Sequence, residues 1–84
     1  MRVVFVEFPR KGIQSIGFVT NKLDTKSGDR LFTVFIPTSP NPTSGFLEIV
    51  REEEVVPTNI TVEDALRVVI SAGRVSLEHM SEGL

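Results

Sequence analysis

The side chains best able to do chemistry in this chain are carboxylates and hydroxyls, and their spacing decides what they can do. Glu52, Glu53 and Glu54 are consecutive, so their carboxylates point apart instead of converging as an acid–base pair. They read as a solvated turn. His79 is the single histidine and there is no cysteine, so neither a zinc site nor a thiol nucleophile has support. Serines and threonines are plentiful, yet none stands in a pattern with a base that would activate it. Neither Gly-x-x-x-x-Gly-Lys nor Gly-x-Gly-x-x-Gly occurs. The expectation is a chain with no catalytic residues, no metal ligands and no cofactor.

The stretch Pro37-Thr-Ser-Pro-Asn-Pro-Thr-Ser-Gly45 is more informative. Its prolines at 37, 40 and 42 forbid helix and regular ladder alike, which makes it an ordered but irregular loop. In an up-and-down meander this loop shares one end of the sheet with the turn around Pro9 to Gly12. Arg10 and Lys11 then stand near Thr38, Ser39, Asn41, Thr43, Ser44 and Gly45. Two cations beside hydroxyls and free backbone N–H groups suit an anion or a lipid phosphate headgroup. The competing reading is that Asn, Ser and Thr bond their own backbone and stiffen a long crossover, or present a surface to a protein partner. Gly45 is expected to take a positive φ. At the other end, Lys22, Lys26 and Arg30 are placed to face Glu52 to Glu54.

The elements that position these residues follow from periodicity. Arg2 to Phe8 is β-branched and aromatic on both faces, which predicts a strand buried on both sides and stopped by Pro9. A second strand is predicted over Ile13 to Thr20, with Gly17 marking a bulge or a close approach. A polar loop follows over 21–30, then strands over Leu31 to Ile36 and Phe46 to Val50, and a short piece at Val55-Val56. Thr61 is the expected N-cap of one helix, with Val62, Ala65, Leu66, Val69 and Ala72 as its apolar stripe and Gly73 as its C′ stop. Val75 to Leu77 extends the chain a little further. Phe5, Phe18, Val34, Leu47, Leu66 and Val69 are the expected core.

These elements make an α+β domain: a small, twisted, mainly antiparallel sheet of four to five strands with one packed C-terminal helix. A small closed barrel produces the same strand pattern and stays open as the alternative. The 84 residues form a single soluble α+β domain over 1–77, with 78–84 as a mobile tail. A hydrophobic content of 40% can fill one core without disulfides.

Charge narrows the partners. Residues 1–40 carry six basic and three acidic groups, and 41–84 carry three basic and eight acidic, for a net charge of −2. With no Trp or Tyr and no clustered basic excess, nucleic acid is not an expected partner. The longest apolar run, Val3 to Val6, is too short to span a bilayer or to form a signal-peptide core.

Three segments together carry a family resemblance. They are Val4-Phe-Val-Glu-Phe-Pro-Arg-Lys-Gly-Ile-Gln-Ser-Ile-Gly-Phe-Val-Thr20, Val34-Phe-Ile-Pro-Thr-Ser-Pro-Asn-Pro-Thr-Ser-Gly45 with Phe46 and Leu47, and Thr61-Val-Glu-Asp-Ala-Leu66. From about Val3 to Gly73 the chain resembles the C-terminal soluble region of the domain-of-unknown-function 502 family, whose plant relatives are called COV-like proteins. Phe8 stands where the family is expected to carry Tyr, and Gln14 where an aromatic is frequent. The resemblance implies an integral membrane parent with two membrane-spanning helices upstream, so that Met1 begins an excised domain. It implies no catalytic residue and no cofactor. The expected function is a non-catalytic assembly or protein-interaction module, by an unidentified protein partner or by self-association. The alternative is a small anion or lipid-headgroup binding domain centred on Pro37 to Gly45.

Overall fold

β1 (Arg2–Glu7) is apolar on both faces because it lies between two separate clusters of core residues. Val3 and Phe5 point to one cluster, Val4 and Val6 to the other, as strand alternation requires. The computed structural model describes residues 1–75; the expectations for the 78–84 tail and for His79 lie outside the described residues. β2 (Gln14–Asp24), β3 (Arg30–Pro37) and β4 (Gly45–Arg51) follow β1 as an antiparallel meander. β5 (Val55–Pro57) then returns to the far side of β1, opposite Val4 to Val6, giving the order β4-β3-β2-β1-β5. Among the described residues the five-stranded sheet is open, with β4 and β5 unpaired at its two edges, so the closed barrel is not what forms.

The second strand is longer than its sequence pattern suggested. Most of the polar stretch after Thr20 is ladder, not loop: Asn21 to Asp24 pair with Thr33 to Arg30, and the turn proper is confined to residues 25–29. Exposed strand positions need no apolar side chains, and cross-strand bonds such as Thr20 Oγ1 to Thr33 Oγ1 (2.8 Å) sustain the pairing instead. The bulge lies at Thr20, where the β2–β3 register shifts between Val19 and Asn21. Gly17 is a close approach, not a bulge. A Cβ there would come within 2.5 Å of the Val34 Cγ1, inside the core.

A flat five-stranded sheet would separate its edges by about 19 Å. Yet Arg51, the last residue of β4, reaches Val55, the first of β5, through one turn of 3₁₀ helix (Glu52–Glu54). Even fully extended, that span covers no more than about 14 Å. The sheet must therefore coil, and the bulge at Thr20 supplies local bend and twist. The inside of the coil is the cluster of Val4, Val6, Val19, Phe32, Val34 and Ile36, joined by Val50 from one edge and Val55 from the other.

α1 (Val62–Ile70) covers the outer face of β1 and β2. Thr61 is its N-cap, accepting the Asp64 N–H at 3.1 Å, and Glu63 and Asp64 sit where the helix dipole favours negative charge. Ala65, Val68 and Val69 are its buried residues, while Leu66 is half-buried. Ala72 is exposed and has φ 56°, so it is Ala72, not Gly73, that takes the C′ position. Gly73 follows with its N–H on the Val68 carbonyl (2.8 Å), completing a Schellman cap. Val75, the last described residue, is in a bend. Leu47 is 68% exposed and outside the core altogether, because β4 is an edge strand that α1 does not reach.

Candidate functional site at the proline-bearing end and along β4

The turn carrying Arg10 and Lys11 closes on itself. Phe8 N–H donates to the Ile13 carbonyl (2.9 Å), and Gly12, at φ 93°, donates its N–H to Glu7 Oε2 (2.7 Å). The Ser15 hydroxyl donates to the Phe8 carbonyl at 2.7 Å. A carboxylate of the chain itself thus occupies the turn amide best placed to hold an anion. Arg10 and Lys11 are exposed, and among the described residues no ion pair or hydrogen bond joins either side chain to another group.

The loop over 38–44 is likewise bonded inward. Thr38 N–H donates to the Ser44 carbonyl (2.9 Å), and the Thr38 hydroxyl donates to the Asn41 and Ser44 carbonyls. Asn41 Oδ1 accepts from the Thr43 N–H (3.1 Å) and the Thr43 hydroxyl (2.7 Å), an Asx turn. The Ser39 hydroxyl donates across to the Val69 carbonyl at 2.7 Å. That carbonyl, in the last helical turn, also accepts the Ala72 N–H (3.2 Å), so the loop adds a second donor there and ties itself to the end of α1. Gly45 has no positive φ. It is required because a Cβ would press on the Ile36 carbonyl oxygen and the Phe35 ring.

The meander does bring the two loops to one end, and Phe8 meets Phe46 there with ring centroids 5.0 Å apart. Among the described residues no hydrogen bond or ion pair links Arg10 or Lys11 to Thr38, Ser39, Asn41, Thr43, Ser44 or Gly45. A cleft of about 340 Å³ lies between the end of α1 and the sheet, lined chiefly by Phe5, Ile16, Pro37, Val68 and Val69. Its lining is apolar and offers no cluster of charge.

At the opposite end the expected pairing does not form. Arg30 bonds Asp24 (3.2 Å), Lys22 Nζ lies 5.8 Å from the Phe32 ring centroid, and Arg51 takes Glu53 and Glu54. The Arg51 backbone N–H, with some help from its guanidinium, holds the Glu54 carboxyl below the usual carboxylate range. Among the described residues no group of three His, Cys, Asp or Glu could hold a metal. None of the helices among them is long and apolar enough to cross a membrane.

The feature that sequence reasoning missed is the outer edge of β4. Among the described residues no strand pairs with it, and Leu47, Ile49 and Phe46 are 68%, 61% and 56% exposed. From the Thr38–Ser44 bond and the β3–β4 register, Phe46, Glu48 and Val50 bond toward β3. Gly45, Leu47 and Ile49 therefore direct their N–H and C=O groups outward, as Arg51 does its carbonyl, while the Arg51 N–H is taken by Glu54 Oε1 (2.9 Å). An apolar run reads as buried in any sequence; only the strand order shows that this one is not.

The matched span settles the relationship. A family described as DUF502, protein of unknown function, matches residues 1–44, just over half of the chain. The chain belongs to the DUF502 family. The span takes in β1, β2, β3 and both polar segments of the proline-bearing end, the Arg10-Lys11 turn and nearly all of the 37–45 loop. No curated protein and no solved structure matches the DUF502 chain.

Proposed function

We infer that this DUF502 chain is a non-catalytic interaction module that receives a protein partner along the outer edge of β4. The observation that carries the reading is a seven-residue edge strand, unpaired among the described residues on its outer side, with Leu47 and Ile49 turned to solvent. Unpaired N–H and C=O groups beside exposed apolar side chains are the means by which a sheet accepts another strand. The inward bonding of residues 38–44, and the Glu7 carboxylate on the Gly12 amide, favour this over an anion or headgroup site at Arg10 and Lys11. The resemblance to COV-like proteins supports placing the domain on a membrane-embedded parent.

The test is a photoreactive residue introduced at Leu47, with Lys26 in the β2–β3 turn as the control position. In cells producing the protein, position 47 should give discrete protein adducts and position 26 should not. Absence of any adduct at 47, or an equal smear from both positions, overturns the reading.

A further inference from the structure

The chemistry of β4 also identifies the occupant. We propose that it is a second copy of this chain, whose β4 pairs antiparallel with the first about a two-fold axis at Glu48. This rests on the reading of the β4 edge as the interaction surface. Outward groups at Gly45, Leu47 and Ile49, with the Arg51 carbonyl, are bonding groups for a new ladder. Their symmetry about Glu48 gives the fully bonded pair Leu47 with Ile49 and a single bond from the Gly45 N–H to the Arg51 carbonyl, since the Arg51 N–H stays on Glu54. On the other face the same register sets Phe46 against Val50. Each apolar side chain of the strand thus meets an apolar one. A shift of one residue would instead oppose opposite faces of the pleat. Centring the axis on Ile49 would set Leu47 against Arg51, and centring it on Leu47 would set Phe46 against Glu48.

Charge agrees with this orientation. Antiparallel pairing carries Glu52 and Glu53, just past β4, toward the end of the partner that bears Arg10 and Lys11. Those two cations lack an ion-pair partner among the described residues, and Phe8 holds their turn against the start of β4 through Phe46. One element opposes association. The centred register places Glu48 against its own symmetry mate, and like charges directly opposite weaken a pair. With one short strand per copy in contact, the dimer is weak and reversible.

Because the chain contains no cysteine, the register can be read chemically. Glu48→Cys places two thiols across the axis at a non-hydrogen-bonded pair, within reach of a disulfide. Phe46→Cys places them four residues apart along the ladder, about 13 Å, which is too far. Under mild oxidation Glu48→Cys should yield a covalent dimer well before Phe46→Cys does. Sedimentation equilibrium should show a monomer–dimer equilibrium whose Kd falls about two- to fivefold in Glu48→Gln and which disappears in Ile49→Lys. Equal cross-linking of the two cysteine variants would overturn the proposal. So would a monomer that persists to about 1 mM in both the wild-type chain and Glu48→Gln, a concentration at which even millimolar affinity registers. If position 47 still captures a different protein in cells, the interaction reading stands and self-pairing falls. If it captures nothing, both fall.

Discussion

The two edges of this sheet are built differently, although both are β-strands joined by a single turn of 3₁₀ helix. β5 has three residues, ends in Pro57, and is followed at once by Thr58, whose hydroxyl donates to the Val3 carbonyl at 2.8 Å. The same hydroxyl accepts the Ile60 N–H at 3.2 Å, which leads the chain into α1 over the adjoining face. Proline and shortness are two ways of stopping strand addition, and β5 has both. β4 has seven residues, no proline and, among the described residues, no cover, with Glu48 at its centre and Arg51 at its end as its charges. A sheet that protects one edge so fully and leaves the other bare is protected by selection of position, not by a general aversion to edges. The bare edge is where an interaction costs least to add.

Matched truncations measure that contrast most strongly. Phe5 is 6% exposed, pairs with Val56 of β5 and lies in the cluster under α1. Phe5→Ala should cost about 3–5 kcal/mol in urea unfolding. Phe46→Ala, at the bare edge, should cost about 1 kcal/mol or less, since little beyond its contact with the Phe8 ring is lost. Equal losses would mean that β4 is covered after all. Thr61→Ala removes the cap of the covering helix and should lower stability by about 1 kcal/mol, while Ile49→Lys stays within about 0.5 kcal/mol.

Amide exchange sharpens the comparison without changing stability. The Leu47 and Ile49 amides should exchange quickly and those of Phe46, Glu48 and Val50 slowly, while the Arg51 amide, bonded to Glu54 Oε1, falls between. Loss of that alternation at high protein concentration would report pairing of the edge. The smallest effect is one of pH. Glu54, held low chiefly by the Arg51 backbone N–H, stabilises the connection between the edges. A carboxyl with a depressed folded-state pKa contributes fully above its ordinary range, and that contribution is lost as pH falls through the lowered value. The group is exposed, so Glu54→Gln should flatten the acid limb of a thermal-unfolding profile only slightly.

Much of this was legible from residue order. β1, β3 and the start of the helix follow from periodicity and from Thr61, though its C′ residue is Ala72 and not Gly73, and the shared end of the two proline-bearing loops follows from counting strand directions. Strand order did not follow, because Phe46 to Val50 carries the same apolar signal as a buried strand. Leu47 was misplaced for that reason alone. The length of β2 was hidden by its polar half, where Thr20 and Thr33 replace apolar contacts. The hydroxyls of residues 38–44 were visible, but not their acceptors. Ser39 bonds the end of a helix thirty residues away, and no local pattern announces such a bond.

The return of the chain to β1 also imposes an order in time. The pairings among β1 to β4 all join sequence neighbours, through short turns that close in microseconds. The Thr58–Val3 bond, by contrast, joins residues 55 apart, and closing a loop of that length costs about 3.5 kcal/mol of chain entropy. That cost is met only when β5 and α1 dock together on the exposed faces of Val3 and Phe5. A nascent chain therefore displays the four-stranded meander, β4 edge included, before the segment that buries its centre has left the ribosome.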